Sequence, residues 1–299
     1  MLPLRNIDSR FPIPEWEEVA ATASNLADAD AHAFWTERGR EWVHQLRQAL
    51  GSGYIGYEST HFWLISSQPE SISRRFIPWL ETTRTKVLKA LELDVSAHLY
   101  GKCPVLVTHD LETYYDYVSG YLEEGEHALS GGMYINQGYG HFVFTYLDMG
   151  QAELVLAHEL THSLVAHLPL PAWVNEGIAQ LCEQAATGRD TADYEQIRET
   201  LETYWTAETI QDLWTGQGFN RQDEGQFQSY HLAKVLTGKL AGEASRFQAF
   251  LHEAHFADAG SKALMKHFGL SLEELVTDYL GEGNWSALPT TPDVPPKEK

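Results

Sequence analysis

The chain contains 299 residues, of which 43% are hydrophobic, and carries a formal net charge of −21 at pH 7. This length is sufficient for a large core and one or two domains, and the composition indicates a folded protein without repeats or low-complexity segments. The acidic balance argues against nucleic acid or an anionic membrane surface as a partner, because both require a basic patch.

The cysteine content and the N-terminus bear on cellular location. Cys103 and Cys182 cannot form a disulfide framework, and we expect two small buried residues, with a single disulfide as the less favoured alternative. The first residues lack the apolar run of a signal peptide, and no segment approaches the roughly eighteen apolar residues of a membrane span. The sequence therefore predicts a cytoplasmic protein without a membrane partner, and it leaves the oligomeric state open.

The predicted elements begin with a helix over residues 15–50, which is closed by Gly51-Ser52-Gly53. Its apolar stripe contains Trp35, Trp42, Leu46 and Leu50. Further along the chain, the pattern predicts a strand at 54–67, a helix at 72–91 that either tolerates Pro78 or kinks there, and strands at 104–108 and 141–146. These strands would form a small mixed sheet.

The most informative segment is the H-E-x-x-H motif His158-Glu159-Leu160-Thr161-His162, which lies in a predicted helix at 152–166. Two histidines four residues apart share one face of a helix, so both imidazoles can bind one Zn²⁺. A catalytic zinc needs a third protein ligand and keeps a position open for water. Glu176 is the best candidate for the third ligand, and Glu159 is placed to act as the general base.

The predicted second helix, at 173–186, supplies Glu176 in its first turn and could be started by Asn175 or by the prolines at 169 and 171. Two helices joined by a short loop can bring the three ligands together. The alternative is that His158 and His162 are core histidines and that Glu176 is a carboxylate favoured by the helix dipole. Iron(II) also remains open as the metal, although the glutamate next to the first histidine favours zinc hydrolysis.

The segment HELTHSLVAHLPLPAWVNEGIAQ, residues 158–180, resembles the gluzincin zinc metallopeptidases, in particular the peptidase MA-like family. Gly131 to Asn136 and Gly140 to Phe144 are similar to the hairpin that precedes the zinc helix in that family, and residues 229–240 and 268–275 resemble its C-terminal helices. The resemblance spans residues 55–282. It implies that His158, His162 and Glu176 bind Zn²⁺ and that Glu159 is the general base.

The resemblance also implies a peptide or protein substrate. Related aminopeptidases carry a glutamate in the upstream strand, but Gly-Gly-Met-Tyr-Ile-Asn contains no acid here, so an endopeptidase is expected. Gluzincins use a tyrosine or histidine of the C-terminal lobe to stabilise the oxyanion. Gln226, Tyr230 and His231 are available, and Tyr230 is the preferred candidate because its phenol can donate and it lies one helical turn from Gln226. An ordinary packed aromatic is an equally good interpretation of Tyr230.

We therefore expect an α+β fold, in which a small mixed sheet with the active-site helix precedes an all-helical C-terminal lobe. The predicted organisation is an N-terminal helical extension at 1–52, an α+β lobe at 53–170, a helical lobe at 171–285 and a disordered tail at 286–299. The strand around Tyr134 or Phe142 is the candidate for β-addition of an extended substrate. The alternatives to a zinc endopeptidase are a binding or scaffolding protein that retains the gluzincin fold, and a zinc hydrolase of non-peptide amides.

Overall fold

A computed structural model of the chain describes residues 2–5, 9–93, 101–122, 131–190, 197 and 203–288, apart from the side chain of Asp28. The chain divides into two compact units, Met1–Leu164 and Val165–Glu298. Most of the predicted C-terminal tail, residues 289–299, lies outside the described residues.

The first unit is built on a five-stranded mixed sheet of order β1-β2-β3-β5-β4. Its strands are β1 (Ile55–Glu58), β2 (Phe62–Ser66), β3 (Cys103–Thr108), β4 (Gly132–Ile135) and β5 (His141–Thr145). Strands β2, β3 and β5 are parallel to one another, whereas β1 and β4 run antiparallel along the two edges. All five residues of β2 are buried, as expected for a strand covered on both faces. The coarse α+β prediction is therefore confirmed.

Helices cover both faces of this sheet. They are α1 (Trp16–Ala23), α2 (Asp28–Leu50), α3 (Glu70–Leu91), α4 (Leu111–Val118) and α5 (Met149–Val165). Residues of α1, α2 and α4 form a core with Trp63, Leu106 and Val143 on one face. On the opposite face, Phe76 of α3 contacts Phe144 edge to face, with ring centroids 5.8 Å apart.

Two predicted elements of this unit are wrong in extent. The helix expected over 15–50 is two helices, because the chain leaves the α-helical pattern after α1, where the backbone N–H of Leu26 bonds the carbonyl of Ala23 three residues earlier at 3.0 Å. The strand expected over 54–67 is an antiparallel pair, and the turn between its halves is held by Glu81, which accepts the backbone N–H of His61 at 2.9 Å. Pro78 lies inside α3, which continues on both sides of it.

A buried polar chain links α4 to β5. Nε2 of His141 lies 2.7 Å from the hydroxyl oxygen of Tyr117, and Nδ1 lies 2.8 Å from the carbonyl oxygen of Tyr139. Burial lowers the pKa of His141 to about 4, so the imidazole is neutral at pH 7. Its neutral form can donate through Nδ1 and accept through Nε2.

The described part of the second unit contains helices and 3₁₀ turns and no strand. The helices are α6 (Ala172–Thr187), α7 (Ile210–Thr215), α8 (Glu224–Ala241), α9 (Ala244–Glu253), α10 (Ser261–Phe268) and α11 (Leu272–Leu280), with 3₁₀ turns at Gln217–Asn220 and Phe256–Asp258. A capping box of Ser271 and Glu274 starts α11. Among the described helices of both units, none is long and apolar enough to cross a membrane.

The cysteines and the last described residues complete the fold. Cys103 and Cys182 are not joined in a disulfide, and Cys182 is buried whereas Cys103 is half-buried. The side-chain amide of Gln211 donates to the carbonyl of Ser286 and accepts from the N–H of Leu288, both at 2.9 Å. The chain up to Leu288 is therefore tied to the second unit.

Candidate metal centre

Helix α5 presents the H-E-x-x-H motif on its more polar side. Leu156, Ala157, Leu160 and Leu164 are at most 1% exposed, whereas His158, Glu159 and His162 are half-buried. This alternation follows from the 3.6-residue period, which places residues three and four apart on the same side of the helix. The rings of His158 and His162 lie edge to face, with centroids 4.7 Å apart.

Helix α6 begins after Pro171. Proline suits the start of a helix because its φ angle is fixed and it has no backbone N–H that would need a partner. Of the two predicted starting points, the prolines are therefore correct and Asn175 is not. Glu176 is the fifth residue of α6, so it begins the second turn, whereas the sequence predicted it in the first turn. Its carboxylate is buried, with 7% of the residue exposed.

The residue after Glu176 determines how closely α6 packs on α8. A Cβ atom on Gly177 would lie 2.2 Å from Oγ1 of Thr237 and 2.6 Å from the carbonyl oxygen of Ala233. Only glycine permits this approach. The same helix is anchored by Trp173, which is fully buried and donates from its indole Nε1 to the carbonyl of Ala259 at 3.0 Å. These contacts hold the segment that carries Glu176.

The three predicted ligands lie together. One ligand atom from each of His158, His162 and Glu176 lies within 4.8 Å of the other two. Donor atoms around a tetrahedral zinc with bonds of about 2.0–2.1 Å are roughly 3.3 Å apart, so small side-chain movements would suffice to close the site. Two imidazoles and a carboxylate are a typical catalytic zinc donor set. The residues present therefore fit a zinc ion.

Glu159 lies against the edge strand β4 and does not belong to this ligand cluster. Its carboxylate oxygen Oε2 accepts the backbone N–H of Tyr134 at 2.7 Å. Gly132 makes room for the helix, because a Cβ at this position would lie 2.5 Å from Cγ1 of Val155 and 2.7 Å from Cβ of Phe144. The sequence motif indicates Glu159 but contains no signal for its partner on the strand.

Tyr230 and the other residues considered for the oxyanion lie on α8. The ring of Tyr230 packs edge to face on Phe219, at 5.1 Å between centroids, and Gln226 donates to the carbonyl of Phe219 at 3.0 Å. Tyr230 and Gln226 therefore share one face of the helix, as predicted. Nε2 of His231 lies 2.6 Å from the hydroxyl of Tyr279. Burial, and secondarily the charge of Lys234, lower the pKa of His231.

Comparison with known proteins does not identify a relative. No family model matches the chain. No curated protein has significant sequence similarity to it.

Proposed function

We propose that the protein is a zinc-dependent metallopeptidase of the gluzincin type, and that it cleaves peptide bonds as an endopeptidase. The observation that carries the proposal is the convergence of His158, His162 and Glu176, with Glu159 directly beside the first histidine in sequence. Zinc-binding residues alone would be compatible with a structural metal. A carboxylate next to an open catalytic site supplies the proton acceptor that hydrolysis requires.

The proposed roles follow from the donor set. A bound Zn²⁺ would supply a Lewis acid that acidifies water and polarises a carbonyl oxygen. His158, His162 and Glu176 would hold the ion. Glu159 would accept a proton from the attacking water and then pass it to the leaving nitrogen, which is the usual double role of a general base in amide hydrolysis.

The strand order of the sheet favours one of the two strands that were predicted to pair with an extended substrate. The strand around Phe142 is β5, which is paired with β3 on one side and β4 on the other, so it has no free backbone groups for a substrate and this part of the prediction is wrong. Strand β4, which contains Tyr134, is the edge of the sheet. An extended peptide can add to such an edge through main-chain hydrogen bonds, and Glu159 lies against it.

For the oxyanion, the contacts favour Tyr230 over His231. Burial lowers the pKa of His231, which disfavours its cationic form, and its Nε2 already interacts with the hydroxyl of Tyr279. Tyr230 lies on the surface of α8 that also carries Gln226, and its residue is only partly buried. A phenol hydroxyl can donate to a developing negative charge without changing its protonation state.

The test is cleavage of an unbiased peptide library by zinc-loaded wild type and by Glu159→Gln. Glu153→Gln, on the same helix, is the matched control for loss of one carboxylate. We expect one zinc per chain in all three, cleavage by wild type and Glu153→Gln, and a rate at least about 10²-fold lower for Glu159→Gln.

Two other outcomes would separate the alternatives. Zinc in all three proteins with cleavage by none would contradict the peptidase proposal and favour a binding protein or a hydrolase of non-peptide amides. A library of small amides and esters would distinguish these two. Equal cleavage by wild type and Glu159→Gln would refute the role of Glu159.

A further inference from the structure

The orientation of strand β4 determines which of its backbone groups face the open edge. The N–H of Thr145 in β5 bonds the carbonyl of Gly131 at 3.4 Å. In an antiparallel pair, every second residue bonds its partner strand, and the residues between them direct their N–H and C=O groups the other way. Gly132 and Tyr134 are these intervening residues, so their backbone groups point away from β5, toward the edge of the sheet formed by the described strands.

One of these edge groups is occupied by Glu159. The Tyr134 N–H donates to its Oε2 at 2.7 Å, which is a charge-assisted hydrogen bond when the carboxylate is ionised. Such bonds are stronger than neutral ones and fix the orientation of a planar carboxylate. The donor belongs to the backbone of a paired strand, which is a more rigid support than a side chain or a loop.

We propose that the backbone N–H of Tyr134 is a positioning group that orients the carboxylate of Glu159 for proton transfer. The inference rests on the proposed function, because it concerns the general base of the same site. It adds a connection between the substrate-binding edge and the base. The close approach of α5 to Gly132 makes the connection possible, because Glu159 lies one helical turn beyond Val155.

The contact also restricts how an extended substrate pairs with β4. A peptide on β4 would normally form two hydrogen bonds with each outward-facing residue. At Tyr134 the N–H is bonded to Glu159, so a peptide cannot form both bonds with this residue while that contact holds.

The experiment replaces residue 134 with the α-hydroxy acid analogue of tyrosine, which changes the amide N–H to an ester oxygen and retains the ring. Because this N–H points out of the sheet, the change removes no bond between strands. The main readout is the Kd of zinc-loaded protein for acetohydroxamate, which binds zinc and donates a hydrogen bond to a neighbouring carboxylate. The same ester is also made in the Glu159→Gln background, which completes a double-mutant cycle.

We expect the ester to raise the Kd for acetohydroxamate about tenfold or more in the wild-type background, and less than about twofold in Glu159→Gln. On peptides, kcat should fall by a similar factor while KM changes less than about twofold. Equal effects of the ester in both backgrounds, or no effect in either, would overturn the positioning role. If the positioning role were overturned in this way but the wild-type protein bound zinc and cleaved peptides, the proposed function would still hold.

A second pair of variants covers the case in which the ester protein does not fold. Tyr134→Pro and Tyr134→Ala both remove the ring, but only the proline removes the N–H, and proline is tolerated on edge strands where the N–H faces outward. We expect the proline variant to bind acetohydroxamate about tenfold more weakly than the alanine variant. Equal affinities would contradict the proposal. A wild-type protein that binds no zinc would overturn both the inference and the proposed function.

Discussion

Substitution of Gly177 by alanine tests how the helix pair α6 and α8 supports the third ligand. The added methyl carbon would lie 2.2 Å from Oγ1 of Thr237 and 2.6 Å from the carbonyl oxygen of Ala233. The threonine side chain can rotate, but the carbonyl is part of the backbone of α8. The helices must therefore separate, and Glu176 must move because it is the adjacent residue.

The net effect on stability combines two opposing contributions. Alanine is favoured over glycine in a helix interior by about 1 kcal/mol, whereas overpacking a closely packed contact costs about 1–3 kcal/mol. We expect the free energy of unfolding of the zinc-free protein to fall by roughly 1–2 kcal/mol. Displacement of a group next to a metal ligand typically weakens metal binding by about 10-fold or more, and we expect that loss for zinc.

The assays are urea unfolding of the zinc-free protein and competitive zinc titration. Gly238→Ala is the matched control in the same helix pair, because its Cβ would meet only Cδ2 of Leu181, at an ordinary 3.7 Å. This control should be as stable as wild type or up to about 1 kcal/mol more stable, with unchanged zinc affinity. If Gly177→Ala behaved like Gly238→Ala in both assays, the reasoning about helix contact would be refuted.

Three further predictions concern other parts of the chain. Burial lowers the pKa of His141 to about 4, so the unfolded state binds a proton at a higher pH than the folded state does. We expect the free energy of unfolding to decrease by up to roughly 3 kcal/mol between pH 6.5 and 4. Urea unfolding at several pH values should show a smaller decrease over this range for His141→Leu than for wild type. Ser271→Ala removes the capping box of α11 and should lower the free energy of unfolding by about 1 kcal/mol, whereas Ser24→Ala, at a helix end without a capping box, should change it by less than about 0.5 kcal/mol. Tyr230→Phe should lower kcat on peptides about 10²-fold with unchanged zinc content, and an unchanged kcat would remove Tyr230 from the mechanism.

The sequence was sufficient for elements whose signals are local. The apolar run at 141–146 predicted β5, and the prolines after α5 predicted the start of α6. The hairpin of β4 and β5 was implied by the family resemblance. The break between α1 and α2 could not be predicted, because Ser24-Asn25-Leu26-Ala27 contains neither glycine nor proline. The turn between β1 and β2 depends on Glu81, twenty residues away from His61, and such tertiary contacts leave no local pattern.

In the candidate site too, local sequence signals predicted some features, whereas features that depend on tertiary contacts could not be predicted. The motif spacing was enough to select His158, His162 and Glu159, because helical geometry places the two histidines on one face. Glu176 was selected because the prolines predicted a second helix after a short loop. The partner of Glu159 is a backbone N–H, which every residue except proline carries, so residue types cannot reveal it. Nor could the sequence distinguish the strand of Tyr134 from that of Phe142 as the edge, because strand order depends on the crossover of β3 and β5.

The most direct test of the account is the location of zinc in crystals of the zinc-loaded protein, measured by anomalous scattering at the zinc absorption edge. We expect one strong peak at about 2.0–2.2 Å from one nitrogen each of His158 and His162 and from a carboxylate oxygen of Glu176, with Glu159 outside bonding distance. A peak elsewhere, or a zinc ion bound by Glu159 in place of Glu176, would contradict it.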